Sequence, residues 1–312
     1  MKRTASLLGL LIGIVCLALF VRTAANHWEA FLALRLEEDV VLYLLLAAAA
    51  YLLTYLVSSR AWQLSLRTQD VRFPYLDSLK ILLVAQIGKY IPGNIGQHIG
   101  RVVLAKRAGI DPSACISSML VETMLLLITA ACCSLAAFDL FLSAYSQHEG
   151  LIRRNVLWVL LASVLAISIA VIFPSLRRWI AGHIIRQSSL LSRGGALLSS
   201  RILLAHGLSL VLGALALWLA VRAASPLHSS TFSFEILGIY SVAWLMGFVV
   251  PGAPAGLGIR EALLVLGLSP LVGIQAATTS TALFRVTTVL GDGFAFCLGL
   301  AMRRQTASEP SS

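Results

Sequence analysis

Two short stretches of this chain combine residue types suited to holding a phosphate. Pro92-Gly93 is followed by Arg101, nine residues after the proline, and Pro251-Gly252 is followed by Arg260 at the same spacing. Gly96 follows the first step, and Gly256 and Gly258 follow the second. Proline removes a backbone donor and glycine loosens the chain, so each motif reads as a break between two helices. The helix restarting after a break presents unsatisfied N–H groups and the positive end of its dipole, which favour an anion. Glycine lets a head group approach the backbone, and arginine adds a planar fork of donors.

Other charges stand in apolar surroundings. Lys89 and Arg285 join the two arginines as candidate head-group ligands, and Glu122, Glu261 and Asp292 are the carboxylates. Four positive charges against three negative leave one net positive charge, which suits an anionic ligand. An alternative reading is that these groups form internal ion pairs, with Glu122 and Asp292 as partners of the arginines. The carboxylates then either pair with cations or carry protons, and Lys89 has the further option of snorkelling to the interface. His98 and His206 are lone and read as structural. The five cysteines show no C-x2-C spacing, and no metal site is expected. Neither H-E-x-x-H nor G-x-S-x-G occurs, so no catalytic residue is named and no enzyme is expected. No G-x4-G-K-[ST] occurs either, and neither an ATP motor nor a cofactor is expected.

The elements that position these residues must lie in lipid. Of 312 residues, 58% are hydrophobic and 12% charged, too few charges to cover a water-facing surface. The net charge of +10 comes from basic residues lying in short segments between apolar runs, a membrane pattern that argues against nucleic-acid binding. Runs able to span are Ala5–Val21, Val40–Val57, Ser113–Phe138, Val156–Phe173, Ile202–Val221 and Thr281–Met302. The first follows Lys2-Arg3 and reads as an uncleaved anchor. Tyr75–Ala108 and Phe234–Leu268 are apolar but broken at the two motifs, each either a re-entrant hairpin or two tilted spans. The expectation is an all-α polytopic membrane protein of about six spanning helices plus two broken helical hairpins.

The two broken stretches lie half a chain apart and open to opposite sides, the pattern of an inverted repeat with a central transport site. Residues 1–302 are expected to form one membrane domain, with half-repeats at about 40–173 and 202–302. With the N-terminus inside, fifteen Lys and Arg fall on the cytoplasmic side against five outside, which puts both termini in the cytoplasm. Segment 174–200 reads as a cytoplasmic amphipathic helix on the headgroups, with Leu176, Trp179, Ile180 and Ile184 opposite Arg177, Arg178 and Arg186. Residues 303–312 read as a disordered tail.

KYIPGNIGQHIGRVVLAKRAGID followed by Glu122, and PAGLGIREALLVLG followed by Arg285, resemble the signatures of the lysylphosphatidylglycerol synthase transmembrane (flippase-like) family. The GLGIRE core, Gly256 to Glu261, is the most specific part, and the resemblance runs from about Val40 to Met302. It implies a multi-pass protein of the cell inner membrane, with two inverted halves, that moves a lipid or lipid-linked sugar between leaflets. Lysyl-transferring members carry a large soluble domain. This chain ends ten residues past Met302, so aminoacyl transfer is not expected. The proline-glycine form of the first motif resembles the branch associated with surface-polysaccharide pathways. The expected function is a flippase or scramblase for a phospholipid or polyprenyl-linked sugar. The expected partners are an anionic lipid or lipid-linked glycan and other membrane proteins of the same pathway. The alternatives are a non-transporting scaffold of an envelope-glycan assembly and an intramembrane enzyme acting on a lipid phosphate.

Overall fold

The computed structural model describes residues 38–91, 95–137, 193–225, 232–250 and 254–302, together with Val21, Arg22 and Ala25. Among the described residues there are seven α-helices: α1 (Glu38–Arg67), α2 (Tyr75–Ala85), α3 (Gly96–Arg107), α4 (Pro112–Ser134), α5 (Arg193–Ala224), α6 (Phe234–Val249) and α7 (Ile259–Ala301). Short 3-10 turns stand at Gln86–Tyr90, Leu135–Ala137 and Pro254–Gly256, and no strand occurs among the described residues. Four helical stretches are long and apolar enough to cross a membrane: α1, Pro112–Ala137, most of α5, and α7. This is an all-α polytopic membrane architecture.

Local chemistry sets the helix ends. α1 opens with Glu38 and Asp39 and closes with Arg67, each complementing its end of the helix dipole. At the start of α4 the Asp111 carboxylate accepts from the backbone N–H of Ser113 (2.9 Å) and Ala114 (3.1 Å), and Pro112 takes the first helical position. The Ser113 hydroxyl donates to the same carboxylate and, with these N–H groups, holds Asp111 below the usual carboxylate range. α7 bends at Gly273 (φ 80°), three residues after Pro270, and so consists of two limbs, 259–272 and 274–301. The helical limb that carries the last apolar run thus begins at residue 274, ahead of the Thr281 start of that run. Missing-donor proline and left-handed glycine together divide what the apolar pattern shows as one run.

α1 and α5 form an antiparallel pair. Arg222 donates to Tyr43 Oη at one end (3.3 Å), Ser58 and Ser209 meet midway (3.2 Å), and Ala61 packs with Ile202 at the other end. Small residues make that approach possible. Ala47, Ala50, Ala216 and Ala220 are buried in one cluster with Leu217 and Val221. Ala61 lies beyond the hydropathic limit of its run at Val57, and Arg193–Ser200, expected at the end of the interfacial segment, form the first two turns of α5. The rest of that segment, the first span as far as residue 20, the span Val156–Phe173 and the 303–312 tail lie outside the described residues.

The distribution of polarity is that of a protein in hydrocarbon. Leu45, Leu204 and Leu290 are 64%, 73% and 68% exposed, and Val286, Leu290 and Phe294 form an outward stripe one helical turn apart. Ser59, Ser65, Thr278 and Ser280 are fully buried. Three of these hydroxyls donate to carbonyls about one turn back, Ser65 to Ala61 at 2.9 Å, Thr278 to Ile274 at 2.7 Å and Ser280 to Ala277 at 3.1 Å, while that of Ser59 has no partner among the described residues.

Both expected breaks are present. The first begins at the 3-10 turn Gln86–Tyr90, and α3 restarts at Gly96. The second follows Val249, passes through Pro254–Gly256 and reaches α7 at Ile259. Ala255, Gly256 and Gly258 all have positive φ there (51°, 70° and 84°), a tight reversal that explains glycine at the last two. Pro92, Gly93, Pro251 and Gly252 lie outside the described residues. The 3-10 turns of the two breaks touch each other, so both irregular segments meet in the interior of the bundle.

The first hairpin is closed by backbone against backbone. A Cβ at Gly88 would fall 2.5 Å from the Gly96 carbonyl carbon and 2.6 Å from Gln97 N. Gly88→Ala is therefore expected to destabilise the protein by about 1–3 kcal/mol, because neither backbone can retreat. Gly293→Ala, where a Cβ meets nothing within 4 Å, should be neutral or raise stability by up to about 1 kcal/mol through helix propensity. Thermal unfolding of both variants in one detergent checks the contrast, and equal melting temperatures would contradict it.

Candidate functional site

A cavity with charged groups set among apolar ones, Ala243, Leu264 and Phe284 included, lies where the two breaks meet. Its wall takes Tyr51 from α1, Lys89 and Tyr90 from the first break, and Tyr240 and Trp244 from α6. Ala255 of the second break, Arg260 and Glu261 of the first limb of α7, and Thr281, Arg285, Thr288 and Asp292 of its second limb complete it. The space open to the centres of water molecules is about 40 Å³, enough for a few waters and not for a lipid head.

Asp292 is the most heavily bonded group there. Its Oδ2 accepts from Lys89 Nζ (2.7 Å) and Tyr90 Oη (2.5 Å). Its Oδ1 accepts from Tyr51 Oη (2.7 Å) and from Tyr55 Oη. Four donors fill the roughly four lone-pair sites of a carboxylate, so Asp292 has no acceptor capacity left. Lys89 also donates to Tyr51 Oη at 3.2 Å and lies 5.6 Å from the centroid of the Tyr90 ring. Gly291 makes this possible: a Cβ there would fall 2.9 Å from the Tyr51 ring. The cluster joins α1, the first break and α7.

Glu261 serves two partners. Its Oε2 accepts from the backbone N–H of Gly258 (2.6 Å), capping α7, and its Oε1 is 3.3 Å from Arg285 Nε. Arg260, the next residue in sequence, points elsewhere. Its stem passes between two glycines, where a Cβ at Gly247 would fall 2.5 Å from Cγ and one at Gly256 would fall 2.9 Å from Nε. Its guanidinium lies over Trp244, 6.0 Å from the ring centroid, within cation–π range. Among the described residues it has no carboxylate within 4 Å, and its buried Nε has no hydrogen-bond partner. The Thr281 hydroxyl, in the same wall and fully buried, likewise has none.

Arg101 has a different environment. It lies outside the cavity lining, 2.5 Å from Glu122 Oε2, with its guanidinium 5.0 Å from the Trp62 ring centroid. Both partners are buried, and the pair ties α3 to α4. His206 is enclosed on α5, and His98 packs edge-on against Phe248, which stacks on Trp244. Among the described residues no group of three His, Cys, Asp or Glu is placed to hold a metal ion.

The structure thus brings Lys89, Arg260, Arg285, Glu261 and Asp292 to one cavity and sets Arg101 with Glu122 apart. Asp292 takes a lysine rather than an arginine. Sequence reasoning did not single out Tyr51, Tyr55, Tyr90, Trp62, Trp244 or Thr281. A usable signal existed for two of them: Tyr51 and Tyr55 are one helical turn apart in a mostly aliphatic stretch of α1, a polar stripe with no place against lipid.

The two arginines should respond differently to substitution. Arg101→Gln leaves Glu122 buried without its counter-charge and should cost about 3–5 kcal/mol of stability, most of it recovered when Glu122→Gln is added. Arg260→Gln removes no ion pair and should leave the unfolding temperature in detergent within a few degrees of wild type, the shift expected for less than about 1 kcal/mol. A large loss at Arg260, or none at Arg101, would contradict the pairing.

No curated protein matches the sequence. A family model described as the lysylphosphatidylglycerol synthase TM region matches residues 6–293, which takes in both breaks and every charged residue of the cavity. The chain belongs to the lysylphosphatidylglycerol synthase transmembrane-region family.

Proposed function

We propose that this protein moves a lipid with an anionic head, a phospholipid or a polyprenyl-linked sugar, between leaflets in the manner of a flippase or scramblase. Arg260 is the head-group contact in this reading. The observation that carries it is a guanidinium lacking a carboxylate among the described residues, beside a helix break, inside a cavity. An internal cation is costly in an apolar surrounding, and an arriving phosphate supplies the missing counter-charge through paired hydrogen bonds. Family membership supports the flippase-like type. The meeting of two breaks supports a central site between two inverted halves, 40–173 and 202–302.

Arg101 has a counter-charge already and anchors the first hairpin, so the head-group role narrows to Arg260, with Lys89 and Arg285 beside it. The cavity is too small for a lipid head as it stands, and transport requires it to widen towards one leaflet or the other. The excess of Lys and Arg between the apolar runs supports an inner-membrane location with both termini cytoplasmic. The role is transport without bond-making chemistry, in envelope lipid or surface-polysaccharide assembly.

Proteoliposomes carrying fluorescent phosphatidylglycerol, assayed with a quencher that reaches only the outer leaflet, test this reading. Wild type should equilibrate the label between leaflets, and Arg260→Gln should slow it by at least about a hundredfold. Arg260→Lys should fall between, since lysine offers a point charge without the planar fork. Equal rates for Arg260→Gln and wild type would remove Arg260 from the mechanism. Absence of movement for any anionic lipid tested would leave a scaffold role as the better reading.

A further inference from the structure

Charge balance in the cavity restricts the ligand further than its sign. Lys89, Arg260 and Arg285 line it as cations, and Glu261 and Asp292 as anions, so one positive charge is in excess among the described residues. Two of the cations are matched within the wall, Lys89 by Asp292 at 2.7 Å and Arg285 by Glu261 at 3.3 Å. The excess is therefore localised on Arg260.

Resting on the reading of Arg260 as the head-group contact, we infer that the site takes a head with one negative charge, a phosphodiester, and discriminates against diphosphate-linked lipids. A phosphodiester carries a single charge at neutral pH and cancels the excess. A lipid diphosphate diester carries two, and the second would need Lys89 or Arg285 as its partner. Recruiting either cation would strip Asp292 or Glu261 of its counter-charge, and buried carboxylates left uncompensated are strongly unfavourable. Lys89 is further held by a second hydrogen bond, to Tyr51 Oη at 3.2 Å.

The donors agree with the charge. Arg260 Nε and Thr281 Oγ1 are buried in the same wall with no hydrogen-bond partner among the described residues. Polar atoms buried in that way are costly unless a ligand or water completes them. A phosphate diester offers two unesterified oxygens, one for the arginine and one for the hydroxyl. Both glycerophospholipids and polyprenyl monophosphate sugars present that group, so the inference names the shared chemistry.

Equilibrium binding to the full-length protein in dodecyl maltoside tests it with four probes: phosphatidylglycerol, a polyprenyl monophosphate hexose, the corresponding diphosphate, and diacylglycerol as the uncharged control. At least one monophosphate diester should bind about tenfold or more tightly than the diphosphate, and the tighter of the two identifies the source. Asp292→Asn adds one net positive charge and should shift the preference towards the diphosphate. Thr281→Val should weaken diester binding several-fold without lowering the unfolding temperature, because valine replaces a hydroxyl that bonds nothing. Diphosphate binding as tight as the diester in wild type would overturn the charge match, while loss of both in Arg260→Gln would leave the proposed function standing. Wild-type affinity in Thr281→Val would also overturn the inference. Failure of every anionic probe to exceed diacylglycerol would sink both readings.

Discussion

Asp292 and the four donors on it form the contact on which the interior depends, and its strength follows from the surroundings. An ionised carboxylate among apolar helices has little water to solvate it, so the protein must supply most of its hydrogen bonds. Three tyrosine hydroxyls and one ammonium do so, drawn from α1 and the first break, while the carboxylate stands on α7. Elements distant in sequence are thereby fixed against one another by groups that cannot part without leaving a charge exposed to hydrocarbon. Helix packing alone would not do this, because lipid tails solvate leucine as well as another helix does. Apolar contacts bring the helices together, and the polar contacts fix their rotation.

The same rule separates the charged groups into structural and available ones. Arg101 with Glu122, Lys89 with Asp292, and Arg285 with Glu261 are each neutral as pairs and need nothing more. Arg260 is held by shape instead. Gly247 and Gly256 leave a slot for its stem, and Trp244 gives its guanidinium a π-face. Shape and a quadrupole orient a cation without neutralising it, which is what the proposed head-group contact requires. The glycines of the GLGIRE stretch thus have distinct duties, a reversal of the chain at Gly258 and room for arginine at Gly256.

Much of the fold was legible in the sequence because hydrophobic length is a strong signal, and the breaks because proline and glycine leave few alternatives. The limits of α1 and α5 were not. Ser58, Ser59 and Arg60 end the apolar run, yet α1 continues to Arg67 because Trp62 and Leu66 bury against other helices. Polar residues inside a membrane protein lower hydropathy where the structure is most enclosed, so that measure misplaces helix ends. The cavity's charged residues were legible as types out of place. Their partners were not, since pairing depends on helix rotation, and rotation here was set partly by tyrosines whose hydroxyls leave little mark on an apolar profile. The equal spacing of Arg101 and Arg260 suggested equal roles. A carboxylate reaches Arg101, while among the described residues none comes within pairing distance of Arg260.

How the cavity widens is constrained by which contacts cross it. The Arg101–Glu122 pair joins α3 to α4, neighbours in sequence linked by a short turn, and can travel with the first hairpin as one body. The Asp292 cluster cannot, because its donors and acceptor lie on opposite walls. Widening between the first break and α7 must lengthen Lys89–Asp292 and Tyr90–Asp292, whereas Tyr51 and Tyr55 can stay on Asp292 if α1 moves with α7. Loss of both the Lys89 and Tyr90 contacts leaves the carboxylate with two donors and a missing counter-charge, an arrangement that costs several kcal/mol unless something replaces it. Water admitted by the widening lowers that cost by solvating the carboxylate and the freed ammonium together. A phosphate on Arg260 neither replaces a cation at Asp292 nor recruits Lys89, whose counter-charge remains that carboxylate across the admitted water. In the proposed transport, cavity opening and hydration are therefore coupled through one carboxylate, and a dry opened state is the least favourable of the arrangements available.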